Sequence, residues 1–135
     1  CLEKDLRHKI KKRIYFDLYF LDIDDFKKIN DECGHIVGTK ILEAFSSELK
    51  KKLPTESIVY RYGGDEFVIL ITNNNVKIKN SDAFSRVDVI IDEKVYCLNS
   101  SVGKYRWRGE EVSPEQVLSI ADIRMYKKKK YNKVQ

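Results

Sequence analysis

The chain has 135 residues, 42% of them apolar, enough to bury one core without disulfides or a structural metal. No apolar run approaches the roughly 20 residues of a membrane span, and no signal-peptide pattern opens the chain. The net charge of +5 gathers in Lys9–Arg13, Lys50–Lys52 and Lys127–Lys133, which attracts anions such as nucleoside triphosphates or simply solvates helix faces. Aromatics are not interleaved with base-reading residues, so a nucleic-acid partner is not expected.

Cys1, Cys33 and Cys97 are odd in number and lack metal-ligand spacing, so they read as reduced thiols in the cytoplasm. Leu2, Leu6 and Ile10 recur at helical spacing and predict a helix over Leu2–Arg13. Ile14–Asp24 reads as a long apolar strand ending in acid, with Asp22 and Asp24 on one face and Ile23 on the other. Asp25–Asp31 then reads as a short helix whose free backbone N–H groups make an anion site. Asn30 fits a helix C-cap on its own. Gly34-His35 turns the chain into a helix over Val37–Lys52, where Ile41, Leu42, Phe45 and Leu49 form the apolar stripe and Pro54 closes it. His35 reads as a structural residue of that turn.

Ser57–Tyr62 and Phe67–Thr72 are rich in β-branched and aromatic residues and read as paired strands. Gly63-Gly64 between them is a hairpin signal, because such turns use positive φ. A hairpin alone does not need Asp65 and Glu66 behind its turn, since two carboxylates there repel unless a cation or a proton compensates them. Asp22 on a neighbouring strand would converge with Asp65 and Glu66 on one hard cation. Oxygen-only ligands suit Mg²⁺ or Mn²⁺.

Thr72–Asn80 is a polar connector. Ser81–Ile91 is read as a short helix with Ser81 as N-cap, the alternative being a strand over Val87–Ile91. Val95–Tyr105 reads as a strand. Ser113-Pro114 opens a last helix, Pro114–Lys130, on which Val117, Ile120, Ala121, Arg124, Met125 and Lys128 share a face. The order of elements predicts an α/β (α+β) domain, a mostly antiparallel sheet flanked by helices.

Arg61-Tyr62-Gly63-Gly64-Asp65-Glu66-Phe67, preceded by Leu21-Asp22-Ile23-Asp24-Asp25-Phe26 and Gly34-His35, resembles the GGDEF domain of diguanylate cyclases. The likeness runs from near Leu2 to Lys133. It implies the ferredoxin-like, palm-type nucleotidyl cyclase fold and a metal-dependent synthesis of cyclic di-GMP from two GTP in a head-to-head homodimer. By carry-over, Asp22, the Ile23 carbonyl and Asp65 hold Mg²⁺ or Mn²⁺, and Asp65 or Glu66 assists deprotonation. Phe26 and Lys27 offer main-chain N–H groups to the triphosphate, with Gly63, Gly64 and Lys129 beside it. Asn30 contacts guanine.

Thr39 departs from the family pattern, which has an Asp taking guanine N1–H and N2–H. A hydroxyl there reads guanine less strictly, so ATP use and mixed products are expected. Pro54-Thr55-Glu56-Ser57 stands where many members carry an inhibitory R-x-x-D. Because the chain opens on Cys1, residues 1–135 are expected to be one domain of a longer protein, with an upstream sensor or regulatory region. The location is expected to be cytoplasmic, or the cytoplasmic end of a membrane-anchored protein. The alternative is a catalytically silent domain that binds nucleotide and regulates a neighbour.

Overall fold

The computed structural model describes residues 1–72 and 84–134. Its elements are α1 (Leu2–Lys11), β1 (Phe16–Ile23), α2 (Phe26–Cys33), α3 (His35–Lys52), β2 (Ile58–Arg61), β3 (Glu66–Thr72), β4 (Arg86–Ile91), β5 (Lys94–Trp107) and α4 (Pro114–Val134). The five strands lie in the order β2-β3-β1-β5-β4. Every pairing among them is antiparallel. No helix among the described residues is long and apolar enough to cross a membrane.

β1 is central and apolar on both faces, and that buries the sheet on both sides. Its odd residues Tyr19, Leu21 and Ile23 join Phe67 and Ile69 of β3 beneath Ile41, Phe45 and Leu49 of α3. Its even residues Phe16, Leu18 and Phe20 join Val68 and Leu70 beneath Leu2 and Leu6 of α1 and Val117, Ala121 and Met125 of α4. Period-two alternation therefore sends Asp22 to the α4 face, directly opposite Glu66 in the β1–β3 register.

α4 starts from a reciprocal cap. Gln116 N–H donates to Ser113 Oγ (3.1 Å) while Ser113 N–H donates to Gln116 Oε1 (2.8 Å). Its inner stripe runs Val117, Ala121, Met125 and then Lys129, one turn apart each time. Lys129, rather than Lys128, thus continues the buried face past the edge of the core. The helix lies unusually close to β5 at Gly103, where a β-carbon would strike the Ala121 carbonyl oxygen and the Met125 amide nitrogen. This close approach sets the height of Lys129 above the sheet.

Two local expectations need correction. Arg86–Ile91 is a strand, not a helix, and pairs with β5 from Arg86↔Asn99 to Ile91↔Lys94. The turn is Asp92-Glu93, with φ of 50° and 69°, the paired positive values of a two-residue hairpin. The proposed N-cap Ser81 and the connector after Thr72 lie outside the described residues. Gly63 and Gly64 do not take positive φ, which among glycines is confined to Gly34 and Gly109 in the described residues. At Gly63 a β-carbon would lie 2.5 Å from Glu66 Oε1, so the glycine gives the Glu66 carboxylate room beside the turn.

Candidate active site

The site lies at the end of β1 where the chain leaves the sheet for α2. Ile23 N–H donates to the Asp65 carbonyl (3.2 Å), tying the acidic end of β1 to the Gly-Gly turn. That turn is fastened by Arg61, whose Nε and Nη2 both donate to the Gly64 carbonyl at 3.2 and 3.0 Å. Nothing in the sequence marked Arg61 as the clamp, because its partner is a main-chain oxygen.

Asp22 is largely buried. Its Oδ2 accepts a hydrogen bond from Lys129 Nζ at 2.7 Å, whereas its Oδ1 has no donor. Burial pushes the Asp22 carboxyl up, the Lys129 bond pulls it down, and the Asp65 carboxyl adds to the rise. Two ionised carboxylates are both acceptors, so Oδ1 and Asp65 are satisfied together only by a proton or a cation. Burial likewise raises the Glu66 carboxyl, helped by the charges of Asp22 and Asp122 and opposed by Lys129. Burial works against the Lys129 ammonium, but Asp22, Asp65 and Asp24 together keep its pKa above the ordinary value.

Among the described residues no three His, Cys, Asp or Glu side chains gather as a metal cage. Glu66 pairs with Asp22 across the β1–β3 register, and its Oε1 also lies close to Gly63. The orphaned Asp22 Oδ1 still fits a hard divalent ion. Mg²⁺ characteristically takes one or two carboxylates and completes its shell with water and substrate phosphates, so a closed cage is not required.

Two clefts flank the start of α2. One, of about 430 Å³, is lined by Asp24, Asp25, Asn99, Lys129 and Asn132, among others. Ser101 Oγ donates to Asp24 Oδ1 (2.7 Å) and accepts from Asn132 Nδ2 (3.2 Å). None of Asp24, Ser101 and Asn132 was assigned a role from the sequence. The other cleft, of about 350 Å³, brings together Phe26, Lys27, Asn30, Thr39, Gly64 and Asp65, six residues expected at the site and drawn from α2, α3 and the turn before β3. Gly64 has open space where a side chain would stand. Asp25 takes φ of 56° and gives α2 no side-chain cap, so the first N–H groups of the helix, those of Phe26 and Lys27 included, lack intrahelical acceptors. An anion is the natural partner for them. Asn30 Nδ2 bonds His35 Nδ1 (2.9 Å), and Thr39 Oγ donates to the His35 carbonyl (2.9 Å).

Comparison with known proteins gives the family and the fold. The family model described as "Diguanylate cyclase, GGDEF domain" matches residues 1–135. The chain is 32% identical over 136 residues to the probable diguanylate cyclase DgcI of Escherichia coli, covering 98% of this chain but 29% of that protein. The GGDEF domain of PA1120 from Pseudomonas aeruginosa superposes with a TM-score of 0.75 at 26% identity, covering 96% of this chain and 85% of that one. The diguanylate cyclase SiaD of the same organism shares the fold at a TM-score of 0.80 and 22% identity, over 96% and 54% of the two chains.

Proposed function

The chain belongs to the GGDEF family, and on that premise we propose that it is a metal-dependent cyclic-dinucleotide synthase acting on nucleoside triphosphates. The observation that carries this reading is the unsatisfied, buried Asp22 Oδ1 beside Asp65, next to a cleft that ends on free helix N–H groups. Asp22, Asp65 and the Ile23 carbonyl would hold Mg²⁺ or Mn²⁺. The ion supplies charge neutralisation on the phosphates and polarises the reacting oxygens.

The chain's own groups do the positioning, which accounts for most of the catalysis in phosphoryl transfer. The N–H groups of Phe26 and Lys27 cradle the triphosphate, and Lys129 adds a cation. Two domains meet head to head, each with one nucleotide. Each ribose 3′-oxygen forms a bond to the other nucleotide's α-phosphorus, and the bond from that phosphorus to the bridging oxygen breaks. Pyrophosphate leaves, and the hydroxyl proton passes to Asp65 or Glu66. Two GTP thus give cyclic di-GMP and two pyrophosphates.

Base choice is relaxed in this reading. The Thr39 proton is committed to the His35 carbonyl, so the hydroxyl faces the base as a neutral acceptor. It still receives a guanine N–H, but it does not repel the N1 acceptor of adenine as a carboxylate would. GTP is preferred and ATP tolerated.

A second reading follows from the Lys129–Asp22 ion pair, which places an ammonium on a carboxylate that the metal ion would need: a silent domain that binds nucleotide and regulates a neighbour. The test is mass analysis of products after incubation with GTP and Mg²⁺, alongside Asp65→Ala. Cyclic di-GMP from the unmodified protein and none from the variant support the synthase. Nucleotide binding with no product in either supports the silent domain.

A further inference from the structure

We infer that His35 is a specificity-determining positioning residue: its imidazole fixes which way the Asn30 amide is turned, and so which hydrogen-bonding polarity the cleft offers a purine. The inference rests on the reading that this cleft takes the base.

Asn30 stands in the last turn of α2 and His35 is the first residue of α3. Gly34 between them takes φ of 86°, and its N–H donates to the Asn30 carbonyl (2.8 Å), which folds the two side chains onto one corner of the cleft. Asn30 Nδ2 lies 2.9 Å from His35 Nδ1. The amide nitrogen only donates, so in this contact Nδ1 is the acceptor, which calls for the tautomer with the ring proton on Nε2.

The other end of the amide occupies the space that a side chain at residue 38 would fill. Asn30 Oδ1 lies over Gly38, where a β-carbon would collide with it. His35 therefore holds the nitrogen end while the absent side chain of Gly38 makes room for the oxygen end. Next to this acceptor stands Thr39, whose hydroxyl proton goes to the His35 carbonyl (2.9 Å). His35 governs both groups, Asn30 through its ring and Thr39 through its main chain.

The result is two neighbouring acceptors, Asn30 Oδ1 and Thr39 Oγ. They match the N1–H and N2–H donors along one edge of guanine. Adenine sets an acceptor, N1, in the same edge and has one amino group to offer. Turning the amide over would replace its acceptor by donors and remove the distinction. Without the Nδ1 acceptor both orientations are open, because the terminal amide torsion is broad and nearly two-fold.

Equilibrium binding of α,β-methylene-GTP and α,β-methylene-ATP with Mg²⁺ tests this in the unmodified protein, His35→Phe and His35→Asn. Phenylalanine keeps the ring without its nitrogens, and asparagine keeps an acceptor near the Nδ1 position. His35→Phe is expected to lower the GTP-over-ATP affinity ratio roughly two- to tenfold, the worth of one neutral hydrogen bond. Its affinity for inorganic tripolyphosphate should stay unchanged, and His35→Asn should restore the ratio. Nitrogen-15 spectra of the unmodified protein should show Nδ1 bare in the neutral ring.

An unchanged ratio in His35→Phe, a low ratio persisting in His35→Asn, or a proton on Nδ1 would each overturn the inference. Asn30→Ala separates the two levels of the argument. If it alters the ratio while His35→Phe does not, the base site stands and the role of His35 falls. If neither variant affects either purine, both fall.

Discussion

Lys129→Met should move three quantities, two of them in opposite directions. The ammonium sits 2.7 Å from Asp22 Oδ2, with the two side chains 20% and 14% exposed. Exposed ion pairs contribute about 0–1 kcal/mol, whereas breaking a fully buried one costs about 3–5 kcal/mol. This pair lies between, so the variant should lose roughly 1–3 kcal/mol by these bounds, read by urea denaturation. The methionine keeps the stem packed against the sheet, which confines the loss to charge. Free Mn²⁺ should bind more tightly, because no ammonium competes for Asp22. Binding of α,β-methylene-GTP should weaken about ten- to a hundredfold, the worth of a hydrogen bond from a charged donor. Titration calorimetry measures both. Unchanged stability together with unchanged affinity for metal and nucleotide would refute the placement of Lys129 between Asp22 and the triphosphate.

The raised carboxyls of Asp22 and Glu66 predict a particular pH dependence. A group whose pKa is higher folded than unfolded stabilises the fold below its ordinary value, here 3.8 and 4.5, and that contribution is lost as pH rises through the folded value. Relative to an Asp22→Asn, Glu66→Gln double variant, the unmodified chain should lose stability as pH climbs above 4.5, and parallel denaturation profiles would contradict this. Gly103→Ala should cost about 1–3 kcal/mol, because α4 must lift off β5 to admit a methyl group; a variant as stable as the parent would show that the helix is not held at that height. Thr39→Asp should raise the guanine-to-adenine ratio in products from equimolar GTP and ATP roughly tenfold, a charged hydrogen bond replacing a neutral one. A product distribution that does not move would dissociate Thr39 from base choice.

Much of this site was legible because its chemistry is written in local sequence. The acidic end of β1, the Gly-Gly-Asp-Glu turn and the stripe of α3 each lie within one element and follow from its period. β4 was not, for a specific reason. Val87, Val89 and Ile91 alternate inward, but over six residues the same apolar set also fits a helical turn. The hairpin that decides the matter turns on Asp92-Glu93, two residues without glycine that nonetheless take positive φ. The Gly-Gly turn misled in the opposite sense: its first glycine makes room for a carboxylate and its second leaves the cleft open. The Lys129–Asp22 pair joins residues 107 apart in sequence, a link made only by the fold. Asn30 and His35 were both visible, but their hydrogen bond depends on the corner at Gly34.

The account stands most directly on where a cation-bound triphosphate sits. A crystal of the protein grown with Mn²⁺ and α,β-methylene-GTP, examined by anomalous scattering, locates the ion without reference to activity. The account predicts a Mn²⁺ peak within coordination distance of Asp22 and Asp65, phosphates on the N–H groups of Phe26 and Lys27, and the purine beside Asn30 and Thr39. A nucleotide seated elsewhere, or a peak that leaves Asp22 on Lys129 alone, would contradict it.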